Sequence, residues 1–313
     1  IPNLIGIDIG CGMTLAQIKG KKIEYQKLDT VIRDRIPSGF NIRTKPHRFV
    51  ERFNFNKLIC AKHIRTNKAI LSLGSLGSGN HFIEIDRDDT GNLYIVIHTG
   101  SRHLGKEVTE YYLNEGQKIL KEEGITVPYE ITRLNGTLMR DYIHDLQIVQ
   151  QFASLNREII LEEIVRGMKW KILDSYECIH NYVDASSQTL DTFGSFMLRK
   201  GAISAKTNER VIIPINMRDG VILGTGLGNT EWNCSAPHGA GRIMKREDVK
   251  NNFTVSSFKS EMKGIYSSCI GKNTLDEAPF AYRNISDITE VIKDTIIVNK
   301  IIKPVYNFKA GNN

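Results

Sequence analysis

The chain has 313 residues, enough for one large domain or two ordinary ones with a buried core. Hydrophobic residues make up 41% and charged residues 25%, which speaks against wholesale disorder and against a fibrous repeat. Lys and Arg number 42 against 35 Asp and Glu, and the resulting +7 suits a polyanionic partner as well as an ordinary soluble enzyme. No apolar run reaches the roughly 18 residues that a bilayer span needs, and no signal peptide opens the chain, so no membrane partner is expected. Five scattered cysteines (Cys11, Cys60, Cys178, Cys234, Cys269) contain no C-x-x-C pair. They argue against a disulfide framework or a zinc finger and for a reducing, cytoplasmic setting. The chain starts at Ile1 rather than Met, which reads as a missing N-terminal segment.

In chain order, residues 4–9 read as a strand running into a Gly-flanked loop, Asp8-Ile9-Gly10-Cys11-Gly12-Met13. Residues 33–68 are rich in Arg, Lys and His, with Phe49, Phe53 and Phe55 interleaved. Such a stretch either tracks an RNA backbone and stacks on bases, or is a solvated basic surface with its aromatics turned inward. Alternating residues 82–85, a turn cluster at 88–92 and a returning run at 93–97 predict a β-hairpin. Helices are expected over 103–123 and over 138–168. In the second, Tyr142, Leu146, Val149, Ala153, Ile160 and Ile164 form one core-facing stripe. Short strand-like runs follow at 193–198, 211–215 and 221–223, then a small-residue loop at 235–242 opening a helix, and apolar tail segments at 285–298 and 303–309. With no repeat, linker or compositional break, a single domain over 1–313 is the simplest organisation.

The hairpin carries the first chemical signal. Closed symmetrically on Asp89-Thr90, it places His81 opposite His98, on one face and with Cβ atoms about 4.5–5.5 Å apart. The flanking sequences, Gly77-Ser78-Gly79-Asn80-His81 and His98-Thr99-Gly100-Ser101-Arg102, suit close backbone approach and phosphate oxygens. Asp8 and Cys11 supply a carboxylate and a thiolate three residues apart, and His180 follows a strand-like run. Each of these alone has a plain structural reading; together they can surround a cation. Ser235-Ala236-Pro237-His238-Gly239-Ala240-Gly241-Arg242 reads either as a phosphate cradle of free backbone N–H groups or as a glycine turn that His238 merely caps. There His238 can act as a nucleophile towards phosphorus, with Arg242 neutralising charge. Neither a Walker-type phosphate loop nor a lysine-centred K-x-D-G motif is present. Nucleotide chemistry would therefore fall to histidine.

These motifs, with His180-Asn181 and Arg199-Lys200-Gly201-Ala202, occur in the order seen in RtcB-type RNA ligases, which the chain resembles from its first residue to Lys309. The resemblance implies an α+β fold with mixed β-sheets and helices around a central metal and nucleotide cleft. It implies joining of an RNA 3′-phosphate or 2′,3′-cyclic phosphate to a 5′-hydroxyl with GTP and two Mn²⁺ ions, in tRNA splicing or RNA repair, with room for an activating protein. Asp8 and His81 would hold one ion and His98 and His180 the other, with Cys11 between them. The metal's identity comes from the family, because thiolate and imidazole ligands bind Zn²⁺ more tightly than Mn²⁺. His238 would become guanylylated and GMP would pass to the RNA 3′-phosphate. Asn80, Ala240 and Gly241 resemble groups around the nucleotide phosphate, and Glu84, Tyr282 and Lys309 resemble groups that hold guanine.

Two departures stand out. Many relatives carry a serine-bearing P-G-S-M-G stretch where this chain reads Ile215-Asn216-Met217-Arg218-Asp219-Gly220. Glu84 lies three residues beyond His81, so either the strand bends near Gly79 or Glu84 faces away from the nucleotide. Two other functions compete: a metal-dependent cyclic-phosphate phosphoesterase without ligation, and a non-catalytic RNA-binding module using residues 33–68.

Overall fold

The run Leu93–Thr99 is buried at every position, so the sheet it belongs to carries a core on each face. A computed structural model describes residues 1–184 and 196–310. The strands are β1 (Gly12–Ile18), β2 (Phe82–Arg87), β3 (Leu93–Thr99), β4 (Ile172–Ile179), β5 (Asn181–Asp184) and β6 (Met197–Lys200). They continue with β7 (Ala202–Ser204), β8 (Arg210–Asn216), β9 (Gly220–Gly226), β10 (Ser235–Pro237) and β11 (Ile296–Lys309). Seven of them form one antiparallel sheet in the order β4-β1-β3-β2-β11-β9-β8, while β5–β6 and β7–β10 make two short ribbons.

The helices are α1 (Tyr25–Arg35), α2 (Thr66–Ser72), α3 (Arg102–Glu122), α4 (Gly136–Met168), α5 (Arg246–Asn252), α6 (Val255–Glu261) and α7 (Ile285–Ile292). On one face of the sheet, Ile83, Ile85, Ile95 and Ile97 pack with Leu28 and Ile32 of α1 and Ile160 and Ile164 of α4. On the other, Met13, Leu15, Tyr94 and Val96 meet Val211, Ile213 and Ile222. The expected α4 stripe is buried throughout. This is the α+β arrangement that the resemblance implies, and no helix among the described residues is long and apolar enough to cross a membrane.

Several expectations need correction. Residues 4–9 are not a strand: Pro2–Leu4 is a 3₁₀ turn and the sheet is entered only at Gly12. Ile5 and Ile9 drop into the core while Leu4 and Ile7 stay exposed, a loop spacing that leaves Asp8 free to turn towards β3. The hairpin register is one residue off, with Phe82 rather than His81 opposite His98. The turn is longer than Asp89-Thr90 alone: the Asp88 carboxylate caps it by accepting from the Thr90 and Asn92 amides, and the Asp88 amide closes it on the Asn92 carbonyl.

The loop after β10 does not open a helix directly. Its Gly241 carbonyl accepts from the Arg283 amide and its Ile243 amide donates to Ala281, so α5 starts only at Arg246. Of the run expected at 193–198, residues 193–195 lie outside the described residues, Phe196 precedes β6, and Met197 and Leu198 belong to it. In residues 33–68, Phe49, Phe53 and Phe55 pack into the core cluster around Phe152. Arg48, Arg52 and Arg65 pair with Glu162, Glu158 and Glu107. That segment is a solvated face with its aromatics turned in.

Candidate metal centre and nucleotide cavity

The Cys11 sulfur, at the entry to β1, is the hub of the site. It lies 3.5 Å from His81 Nε2 and 3.4 Å from His98 Nε2. His98 Nε2 is in turn 3.3 Å from His180 Nε2, and His81 Nε2 is 3.0 Å from the Asp8 carboxylate. Two overlapping donor sets result, Asp8–Cys11–His81 and Cys11–His98–His180, each with its ligand atoms within 4.8 Å of one another. All five candidate metal ligands therefore converge. Asp8 reaches the site because Gly100 faces it: a Cβ at position 100 would lie 2.2 Å from Asp8 Oδ1.

Backbone carbonyls orient the imidazoles. His81 donates from Nδ1 to the Leu76 carbonyl and His98 from Nδ1 to the Asn80 carbonyl, each at 3.0 Å, so both rings turn Nε2 towards the sulfur. Burial and then the neighbouring imidazoles hold His98 and His180 well below the ordinary range, which keeps them neutral as ligation requires. Burial pushes the Asp8 carboxyl up, but hydrogen bonding and charge from His81 outweigh it and hold the group at about 2. Burial and the Asp8 charge push the Cys11 thiol well up. His180 Nδ1 is buried without a hydrogen-bond partner among the described residues. Neutral imidazoles facing one another across 3.3 Å, a carboxylate, a sulfur and an orphaned ring nitrogen fit a pair of divalent cations. A third grouping, His47 with Glu162 and Glu163, is already paired with Arg35, Arg48 and Arg166 and offers no such vacancy of charge.

His238 links this cluster to a cavity of about 290 Å³. Its ring centroid is 4.7 Å from that of His180, and its Nδ1 donates to the Gly201 carbonyl at 2.6 Å, which leaves Nε2 as the free lone pair. Burial lowers the His238 pKa and so favours the neutral, nucleophilic ring. Asn80, Glu84, Ala240, Gly241, Tyr282 and Lys309 all line the same cavity, as does Arg242. Glu84 faces inward because the corrected register puts Phe82, Glu84 and His98 on one face, while His81 belongs to the bend before β2. Asn216 and Met217 form part of the cavity wall. Arg102 donates to the Ser75 hydroxyl and the Gly39 carbonyl.

Sequence reasoning missed the floor of the cavity. Glu277 is buried and gathers Lys309 (2.8 Å), the Tyr282 hydroxyl (2.5 Å) and Arg246. Asn307 donates to Glu84 at 2.5 Å from the facing position on β11. Burial drives Glu84 up to about 7 against the pull of Asp86, Asn307 and Lys309, while Asp86 is raised well above the carboxylate range by burial and by Glu84. An alternation that carries Glu84 and Asp86 into a strand buried on both faces is the signal that could have found this pair.

Residues 47–310 match the family model described as tRNA-splicing ligase RtcB. The RNA-splicing ligase RtcB of Escherichia coli (strain K12) is 30% identical over 93% of this chain and 81% of its own length. The tRNA-splicing ligase RtcB of Aeropyrum pernix is 27% identical over 90% of this chain and 68% of its own length. That of Pyrobaculum aerophilum is 27% identical over 74% of this chain and 58% of its own length. A family model matched over most of the chain, with a 30% identical relative covered over 81% of its length, shows that the chain belongs to the RtcB family.

Proposed function

We propose that this chain is a cytoplasmic RNA ligase, dependent on GTP and Mn²⁺, that joins RNA 3′-phosphate or 2′,3′-cyclic phosphate ends to 5′-hydroxyl ends in tRNA splicing or RNA repair. The observation that carries the reading is the position of His238. Its ring packs on His180 of the donor cluster and opens into a cavity lined by Asn80, Glu84, Ala240, Gly241, Tyr282 and Lys309. Asp8, His81, His98 and His180, with Cys11 shared, would hold two divalent cations that withdraw electron density from phosphate oxygens.

His238 Nε2 attacks the α-phosphorus of GTP while Nδ1–H stays on the Gly201 carbonyl; an N–P bond forms, the bond to the β-phosphate oxygen breaks and pyrophosphate leaves. The Gly241 backbone amide, with the Asn80 side chain, faces the phosphate oxygens, while the Ala240 amide is held by the Pro214 carbonyl (3.1 Å) and Ala240 only shapes the wall. Glu84, Tyr282 and Lys309 face the base. The GMP group then passes to the RNA 3′-phosphate, which restores the free ring of His238, and the 5′-hydroxyl of the second strand displaces GMP. Where the end is a cyclic phosphate, its hydrolysis to the 3′-phosphate comes first.

The test is incubation with Mn²⁺ and α-labelled GTP, then with RNA halves bearing the two end types. An acid-labile guanylate on the wild-type chain that disappears as joined RNA forms supports the reading. Joining without nucleotide, or hydrolysis of the cyclic phosphate alone by wild type and by His238→Ala equally, overturns it.

A further inference from the structure

We propose that Asn156 and Arg157, neighbours on α4, are positioning residues that set the spacing of the metal centre by clamping the backbones on which its ligands sit. The inference rests on reading the cluster as a metal centre. Both side chains are fully buried, an unusual place for a guanidinium unless its donors are met. Arg157 Nη1 donates to the carbonyls of Gly10 (2.7 Å) and Thr99 (2.9 Å), while Nε and Nη2 donate to Glu177 of β4 (3.3 and 2.9 Å). Gly10 directly precedes Cys11, Thr99 directly follows His98, and Glu177 lies three residues before His180. One rigid planar fork thus holds the backbone directly beside two of the ligands and the side chain of the strand that leads to a third.

Asn156 completes the clamp from the other side. Its Oδ1 accepts from the amides of Gly74 (2.7 Å) and Ser75 (3.2 Å), and its Nδ2 donates to the carbonyls of Ser75 and Gly100 (3.1 Å each). That fixes the segment ending in Leu76, whose carbonyl orients His81, against the segment that follows His98 and faces Asp8. The Glu177 carboxylate is 40% exposed, so its pairing with Arg157 adds little to stability. What these two residues do hold is distance: four separate segments meet on two consecutive side chains of one 33-residue helix. Partners one step removed from ligands commonly tune metal affinity 10- to 100-fold.

The experiment titrates Co²⁺ into the purified full chain and follows the thiolate-to-Co²⁺ charge-transfer absorption and the visible bands, with circular dichroism of the metal-free protein as the folding control. Wild type is expected to show the thiolate band; its absence would overturn the metal-centre reading itself. Arg157→Met is expected to keep the metal-free fold, bind Co²⁺ about 10- to 100-fold more weakly and shift the charge-transfer band, with Arg157→Lys recovering part of both. If Arg157→Met fails to fold, Glu177→Gln, which loosens the guanidinium without emptying its site, is expected to show the same band shift and a smaller loss of affinity. Wild-type affinity and an unchanged band in whichever of these variants folds would overturn the proposal.

Discussion

The His238 ring and the Gly201 carbonyl are joined by a 2.6 Å hydrogen bond from Nδ1, which decides which ring nitrogen is free to react. Gly201 itself sits at φ +64°, and a Cβ there would lie 3.2 Å from His238 Cε1. Gly201→Ala is therefore expected to displace the ring and slow guanylylation by about tenfold or more, since small misplacements at a reacting centre carry such factors. Metal content should not change, because His238 lies outside the two donor sets. Rapid-quench measurement of the adduct, alongside metal analysis, checks both halves.

Cys11→Ser replaces the one donor common to both sets. The side chain is small and buried, so circular dichroism should be unchanged while affinity for Mn²⁺ or Co²⁺ falls by at least about tenfold. Equilibrium dialysis against the metal measures it, and the His238 adduct should be lost with it.

Glu84 gives two pH dependences of opposite sign. In the fold its carboxyl keeps a proton up to about pH 7, whereas the ordinary value is 4.5. The folded state therefore binds more protons than the unfolded state between these values, and the stabilisation is complete below pH 4.5 and lost as pH rises through about 7. Urea titrations at a series of pH values should show wild type losing stability relative to Glu84→Gln as pH rises across that window. GTP affinity should move the other way, strengthening above about pH 7 as a carboxylate becomes available to the base.

Lys309 and Glu277 form an ion pair with side chains only 5% and 3% exposed. Lys309→Met would leave Glu277 with Arg246, Arg242 and the Tyr282 hydroxyl but without its nearest ammonium. A loss of about 3 kcal/mol in unfolding free energy is expected, at the low end for a broken buried pair because the arginines remain. Chemical denaturation measures that loss. A raised KM for GTP with metal affinity intact would place the defect in the cavity and not in the cation cluster.

How far the sequence could be read followed from how local each signal is. The helices of α3 and α4 and the β2–β3 hairpin were legible because their periodicity depends only on neighbours in the chain. The candidate ligands were legible because Asp8, Cys11, His81, His98 and His180 combine rare residue types with glycine-rich surroundings, and the family resemblance supplied their grouping. The exact hairpin register was not, since it hangs on the Asp88 side chain capping its own turn. Glu277, Asn307 and Arg157 were invisible for a different reason. Each acts through a partner more than 20 residues away, and nothing in its own segment distinguishes a buried clamp from a surface charge.

The cap at Asp88 reaches further than the turn it closes. Its carboxylate also takes the Lys300 ammonium (2.7 Å) and the Tyr94 hydroxyl (2.9 Å), locking the tip of the hairpin to β11. Because side chains alternate along β3, dropping one residue from that tip would rotate His98 to the opposite side of the sheet, among the isoleucines. Whether an imidazole stands beside the sulfur is thus set by a chain-length gauge at the other end of two strands, and insertions or deletions there would silence the centre without touching any of its ligands.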